Sequence, residues 1–298
     1  MVEKQIVQWL KSNCLIRNKK VKIGIGDDTA VLEYDKKHYL LLTTDIVVEN
    51  VHFKLTEAKF SQIGRKALAV NISDIAAMGG IPAWALVSLG LPEKKASAFK
   101  SIFKGIIQLA KSFSIDIIGG NLSRSDIFFV DIFLVGMVEK KNLVLRSTGK
   151  PGDLVFVTGT LGGAQKRKQF EFIPRVKEAR IIASYIKPTA MIDLSDGLAS
   201  DARKLAEASN CGIEIEAEKI PISKDANRYK PIFSALYDGE DYELVFTVSP
   251  DNAEKVPEKI SGLKITRIGK LIKQKIFVLK YSDGKQIKLQ EEKFKHFK

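Results

Sequence analysis

Four acidic stations stand apart in this sequence: Asp27-Asp28, Asp45, Asp74, and the pair Asp193 and Asp196. Asp27 and Asp28 sit on a glycine turn, Gly24-Ile25-Gly26-Asp27-Asp28-Thr29-Ala30. Asp45 closes the run Leu41-Leu42-Thr43-Thr44-Asp45, which reads as a buried strand. Adjacent acids repel, and burying them without partners costs several kcal/mol each. A fold that sets three of them beside glycines and a hydrophobic strand calls for a cation, and hard cations such as magnesium take carboxylate and hydroxyl oxygens. For Gly24–Asp28 alone, an Asp-rich surface turn is the competing reading.

The other two stations have their own settings. Asp74 lies in Asn71-Ile72-Ser73-Asp74-Ile75-Ala76-Ala77-Met78-Gly79. Asn71 and Asp74 are three apart and share one face of a helix. The small neighbours let backbones approach, which favours burial beside a ligand over a surface position. Asp193-Leu194-Ser195-Asp196-Gly197 stands where a strand feeds a helix. That arrangement puts Ser195 near the N-cap and points backbone N–H groups at an anion, unless the stretch is a plain cap. The chain has no Gly-x-x-x-x-Gly-Lys-[Ser/Thr] loop, no protein-kinase signature set, no Cys/His metal spacing and no His-Glu-x-x-His. Phosphates, if bound, fall to metals held by aspartates, to glycine turns and to a few Arg or Lys residues.

The elements that must position these residues alternate between strand and helix. Residues 3–18 read as a short helix, 31–34 and 39–48 as strands, 59–78 as a helix stopped by Gly79-Gly80-Ile81-Pro82, and 84–91 as a strand. Phe99, Ile102, Phe103, Ile106, Ile107 and Ala110 give 93–113 the period of one long amphipathic helix. A short strand, 115–120, ends in a glycine pair, and 127–138 is a strand with Phe129, Asp131 and Phe133 on one face. The Ser-Thr-Gly-Lys-Pro-Gly composition at 147–152 marks a boundary, giving domains 1–145 and 146–298. Beyond it, 153–158, 191–193, 243–248 and 265–268 read as strands, 175–186 and 196–209 as helices, and 275–281 with 286–289 as a hairpin about Ser282-Asp283-Gly284-Lys285. The recurring order predicts an α/β (α+β) protein of two domains.

Composition sets the limits. The 298 residues suffice for two domains with real cores, and 45% hydrophobic with 28% charged residues is ordinary for a globular chain. No apolar run approaches the roughly 20 residues of a membrane span, and the first residues lack a signal-peptide pattern. Cys14 and Cys211 show no metal or redox spacing, so the expectation is a cytoplasmic protein with reduced thiols. Of the net charge of +13, residues 264–298 hold 11 Lys and Arg against 3 Asp and Glu. With little aromatic interleaving, that tract reads as a solvated face able to draw nucleotides or phosphate esters; a nucleic-acid-binding protein is the minor alternative.

Gly24–Val31, Thr43–Asp45, Glu49–Phe53, Lys66–Gly79, Ser147–Asp153, Thr158–Gly162, Met191–Leu198 and Asp238–Leu244, in this order, resemble the thiamine-monophosphate kinases of the aminoimidazole ribonucleotide synthetase superfamily. The resemblance implies the reaction of ATP with thiamine monophosphate to give ADP and thiamine diphosphate. It also implies a homodimer formed through the N-terminal mixed sheet, a C-terminal α/β domain, and no partnership with nucleic acid or membrane. By the same resemblance Asp28, Thr43, Thr44, Asp45, Asp74, Asn121, Asp193 and Asp196 would hold several Mg2+ ions. Gly120, Asn121, Arg146 and Ser195 would contact ATP, and His52, Glu240 and Phe294 would line the thiamine phosphate. No residue is assigned as a general base, because a phosphate ester with a second pKa of about 6 is already largely ionised at neutral pH. The superfamily's other ATP-using synthetases are the nearest alternative, but the chain lacks their Cys-bearing glycine-rich start, cysteine tail or Gly-Gly-Glu-Thr-like motif. Where the family usually has Gly-Gly-Asp-Thr-Thr-Arg, this chain reads Gly119-Gly120-Asn121-Leu122-Ser123-Arg124. Asn keeps an oxygen but loses the charge, so one metal site is either weaker or compensated by Asp126 or Asp116.

Overall fold

The computed structural model describes residues 3–290. The first half builds one sheet from β1 (Val21–Ile23), β2 (Ala30–Glu33), β3 (His38–Val48), β4 (Ile81–Leu91), β5 (Asp116–Arg124) and β6 (Phe129–Glu139). Their order is β1-β2-β3-β6-β4-β5, with β4 and β5 parallel and the other neighbours antiparallel. Helix α1 (Glu3–Asn13) precedes the sheet, and α2 (Phe60–Ala77) and α3 (Phe99–Ser112) pack together beside it. The second half builds a sheet from β7 (Leu154–Thr158), β8 (Ala190–Asp193), β9 (Gly212–Glu216), β10 (Leu244–Val248), β11 (Lys259–Ile260), β12 (Leu263–Ile272), β13 (Phe277–Lys280) and β14 (Gln286–Lys288). Its order is β14-β13-β9-β12-β7-β10-β8, with β11 on β12. Helices α4 (Lys168–Glu171), α5 (Val176–Ile181), α6 (Leu198–Ala208) and α7 (Pro231–Tyr237) complete it. The α+β class and the two-sheet plan follow the strand-and-helix alternation of the sequence.

Helix α2 is the axis of the molecule. It is buried on nearly all sides, as an all-round apolar helix must be. One core runs from Val31, Leu41, Ile132 and Leu134 of the first sheet through Leu68, Ile72 and Ile75 of α2 to Phe156, Met191 and Phe246 of the second. The opposite face of the second sheet packs Val155, Val157 and Ile192 against Leu198, Ala202 and Leu205 of α6. Helices α2 and α3 approach closely because both present glycine at the crossing. A Cβ on Gly105 would lie 1.8 Å from the Ser61 carbonyl oxygen, and one on Gly64 2.2 Å from that of Ile102.

Several boundaries differ from the sequence reading. The segment 93–113 is a 3-10 helix, Glu93–Ala98, followed by α3. The segment 175–186 is α5 followed by a π-helical turn, Ile182–Ile186, closed by Lys187 at φ 58°. The strand expected to stop at Gly120 runs to Arg124, because β4 alongside supplies ladder partners through Asn121, Leu122 and Ser123. Helix α6 starts at Leu198, since Gly197 adopts φ 106°, outside any helix. Among the described residues no helix is long and apolar enough to cross a membrane.

Candidate active site: a carboxylate cluster beside an interdomain cleft

Strand β3 distributes its polar residues to both faces, as a pleat of period two requires. Thr43 points to α2, where its Oγ1 donates to Asp74 Oδ2 at 2.6 Å. Thr44 points the other way and donates to Asp131 Oδ1 at 2.9 Å. Helix α2 contributes two adjacent groups, Asp74 and the buried Ser73, whose hydroxyl donates to Asp193 at the end of β8. Asp28 arrives from the glycine turn before β2. Carboxylate oxygens of Asp28, Asp74 and Asp193 all lie within 4.8 Å of one another.

The electrostatics of this cluster are unbalanced. Burial, then the Asp45 and Asp193 charges, raise Asp74 well above the usual carboxylate range. Burial, then Asp28, does the same to Asp193, and burial raises Asp28 against the pull of Arg146. Arg146 is the one guanidinium at the cluster: Nη2 donates to Asp28, and Nε lies 3.4 Å from Asp27 Oδ1 but out of hydrogen-bond alignment. Burial opposes the Arg146 charge, and Asp28 and Asp27 more than offset that. Burial and the neighbouring Asp28 push Asp27 up to about 6. Asp28 Oδ2 is enclosed and has no hydrogen-bond partner among the described residues. Three hard oxygen donors, one of them unmatched, fit a divalent cation of the magnesium type.

Beside the cluster lies a cleft of about 860 Å³ between the halves of the chain, walled by Asp45, His52, Lys66, Asp196, Glu240 and Tyr242 among others. Asp45 opens onto the cleft, yet enclosure by its walls and the charges of Glu240, Asp131 and Asp196 raise its carboxyl to about 7. His52 accepts from the Val48 N–H at 3.1 Å through Nδ1, which fixes its ring. Lys66 is fully buried; its ammonium lies 2.8 Å from Glu240 Oε2 and donates to Gln169 Oε1 at 2.7 Å and to the His52 carbonyl at 3.1 Å. Glu240 and Tyr242 both have left-handed backbones, φ 62° and 47°, and Tyr242 stacks on Phe172 at 4.2 Å between centroids. Strained backbone of this kind persists only where surrounding contacts over-determine it.

The structure thus gathers Asp28, Thr43, Asp45, Asp74, Asp193 and, at the edge, Arg146. Ser195, Asp196, His52 and Glu240 line the adjoining cleft. It does not gather Thr44, Gly120 and Asn121 with them. Asn121 pairs with Ser88, which pairs with Asp131, so all three share a row on the outward face of the sheet with Thr44 nearby. Asp116 and Asp126 are exposed, and Asp131 is the acid that reaches this outward row. Phe294 lies outside the described residues. The strand-to-helix stretch does not hold its donors out for an anion: the N–H groups of Asp196 and Gly197 donate to Asp201 Oδ2, so α6 satisfies its own start. Ser73, Lys66, Asp131 and Lys204 escaped the sequence reading. None of them left a signal there that set it apart; even Lys66 stands directly beside a second cation, Arg65.

Residues 26–138 match the AIR synthase related protein N-terminal domain, and 150–282 the corresponding C-terminal domain. The thiamine-monophosphate kinase of Bacillus subtilis (strain 168) is 39% identical over 95% of this chain and 96% of its own length. That of Aquifex aeolicus (strain VF5) is 37% identical over 92% of each. A solved structure described as "AaThiL complexed with AMPPCP and TMP" is 34% identical with a TM-score of 0.84, covering 99% of this chain and 97% of that one.

Proposed function

The chain belongs to the thiamine-monophosphate kinases of the AIR synthase related family, and from that premise we propose how its residues carry out the reaction. It is an ATP-using phosphotransferase that converts thiamine monophosphate to thiamine diphosphate. The observation that supports the site assignment best is the carboxylate triad of Asp28, Asp74 and Asp193, short of cations and beside a cleft large enough for a second substrate.

Asp28, Asp74 and Asp193, with Thr43, Asp45 and Asp196 beside them, are the residues that would hold Mg2+. The ions would supply neutralisation of phosphate charge, the main requirement when two anionic phosphates must meet. Thr43 orients Asp74, and Ser73 orients Asp193, each through one hydrogen bond. Arg146 holds the glycine turn through Asp27 and Asp28 and stands ready at the ATP end with Ser195. In the cleft, Lys66 fixes Glu240 and the His52 loop together, which pre-forms the pocket for the thiamine moiety; Phe294 is proposed to join them. A phosphate oxygen of thiamine monophosphate attacks the γ-phosphorus of ATP, the bond from that phosphorus to the β–γ bridging oxygen breaks, and ADP leaves. No proton need be removed, so no general base is assigned.

Thr44, Gly120 and Asn121 are proposed to serve an ATP site completed by a second copy of the chain. The sheet face of Thr44 and Asn121 carries the exposed apolar side chains Ile46 and Leu86, and the edge strand β5 exposes Ile118 and Leu122, a surface suited to a homodimer. A domain boundary between residues 145 and 146 is supported by the end of the first sheet at Glu139 and the start of the second at Leu154. The enzyme is proposed to work in the cytoplasm. The test is a coupled assay of ADP release with thiamine monophosphate, thiamine and an aminoimidazole ribonucleotide precursor side by side. Mg2+-dependent ADP release with thiamine monophosphate alone is expected; turnover of the precursor instead would overturn the reading.

A further inference from the structure

Four lysines line the cleft: Lys54, Lys66, Lys166 and Lys204. Lys54 pairs with Glu57 at 3.3 Å on an exposed rim. Lys66 is committed to Glu240, Gln169 and the His52 carbonyl. Lys166 donates to the Asp225 carbonyl at 3.3 Å, also at the exposed edge. Lys204 is placed differently. It stands on the second turn of α6, and helical side chains lean toward the helix N-terminus. Its ammonium is thereby carried back to the start of α6, where it donates to Asp196 and to Asp201 Oδ1, the latter at 3.0 Å.

An ammonium has three protons to donate. Two are used, and the third has no acceptor among the described residues, although the side chain is 34% exposed and lines the cleft. The position adjoins two zones. Its partner Asp196 follows three residues after Asp193 of the triad and belongs to the residues proposed to hold Mg2+. The same cleft is walled by Asp45, His52, Glu240 and Tyr242. A point located between the proposed donor phosphates and the proposed thiamine pocket is where the acceptor's own phosphate must sit. A lysine there is a compact charge suited to phosphate.

We propose that Lys204 binds the phosphate of thiamine monophosphate in the cleft, a role that rests on the function proposed above. Asp196 and Asp201 hold the ammonium in place before substrate arrives. The phosphate then accepts from the remaining N–H through an oxygen that does not attack. The ammonium keeps its proton throughout and lowers the repulsion between acceptor and donor phosphates.

The test compares binding of thiamine and of thiamine monophosphate by calorimetry, in the presence of Mg2+, for the wild-type chain, Lys204→Met, Lys204→Gln and Lys204→Arg. The ratio of the two affinities isolates the phosphate. A charge-assisted hydrogen bond of this kind is worth about 10-fold or more in affinity. Lys204→Met and Lys204→Gln should cut the ratio by about that factor and leave thiamine binding nearly unchanged, while Lys204→Arg retains most of it. If the ratio is unchanged in a folded Met or Gln variant, the proposal is overturned, and Lys204 serves only to tie Asp196 to Asp201, a role visible as a lower Tm. If the wild-type chain binds neither compound, the reading of the cleft itself fails, and this proposal with it.

Discussion

Two regions of this molecule bury several carboxylates within a few ångströms, and they handle the charge in opposite ways. Around Glu243 the chain provides its own cations. Arg175 donates to both carboxylate oxygens at 2.8 and 2.6 Å, Lys168 adds a bond at 3.0 Å, and Thr158 Oγ1 donates at 2.8 Å. Around Asp28, Asp74 and Asp193 there is one guanidinium for three acids, plus two hydroxyl donors and an enclosed oxygen without a partner. A balanced buried network holds a loop; an unbalanced one costs stability that only a ligand repays. The difference separates a structural cluster from a functional one without reference to any relative.

The largest effect that tests this contrast falls on the balanced side. Glu243→Gln leaves Arg175 and Lys168 facing a neutral group at a site where the carboxylate is 2% exposed. Removing one partner of a buried pair costs about 3–5 kcal/mol. Urea melts should show that loss, and a change below about 1 kcal/mol would mean the network contributes little. The opposite sign is expected across the cleft. Asp74→Asn removes an acid whose ionisation burial and the Asp45 and Asp193 charges oppose, so the metal-free fold should gain stability while turnover falls by about 10²–10³-fold. Unaltered turnover in Asp74→Asn would break the functional half of the comparison.

Divalent cations sharpen it further. A ligand that binds only the folded state at 100 times its Kd adds about 2.7 kcal/mol. Mg2+ should raise the Tm of the wild-type chain and of Glu243→Gln, and should fail to raise that of a variant lacking both Asp74 and Asp193. An equal rise in all three would place the ion elsewhere.

Much of this arrangement was legible in the sequence. The acidic stations could be read because acids beside glycines and small residues, as at Asp28 and Asp74, are costly unless something needs them; the grouping of Asp193 with them as metal ligands came only from the family resemblance. The two sheets and α2 could be read from period and punctuation. What escaped has physical causes. Period-two alternation sends Thr43 and Thr44 to opposite faces, but the sequence does not say which face meets α2. The extension of β5 through Gly120 depends on a parallel neighbour 33 residues away, not on local propensity. The break in helicity at Ala98 and the π turn after Ile181 are tertiary adjustments within one apolar period. Lys204 gave no signal because its role arises from Asp196, eight residues back and outside the helix.

The smallest effect concerns Asp241, the member of the balanced region with the least direct compensation. It is fully buried, accepts from the Gly162 N–H, and has Lys168 no nearer than 3.6 Å. Burial pushes its carboxyl up to about 7, against the pull of Lys168. In the unfolded chain an aspartate titrates near 3.9. Between about pH 4 and 7 the folded state therefore binds the extra proton. The stability this confers is fully present below about pH 4 and is lost as pH rises through about 7, with a slope of at most about 1.4 kcal/mol per pH unit. Asp45, also raised to about 7, adds a contribution of the same sign from the unbalanced side. Excess Mg2+ should hold Asp45 and the triad ionised and remove their share of the slope, leaving that of Asp241 and smaller shares from Asp27 and Asp201, both raised to about 6. Asp241→Asn should do the reverse, reducing the Mg2+-saturated slope while leaving a metal-free one. Urea midpoints at pH 5 and 7.5, with and without Mg2+, distinguish the two. If Mg2+ flattens the profile completely in the wild-type chain, Asp241 is not titrating there, and the balanced region is neutralised more fully than its geometry indicates.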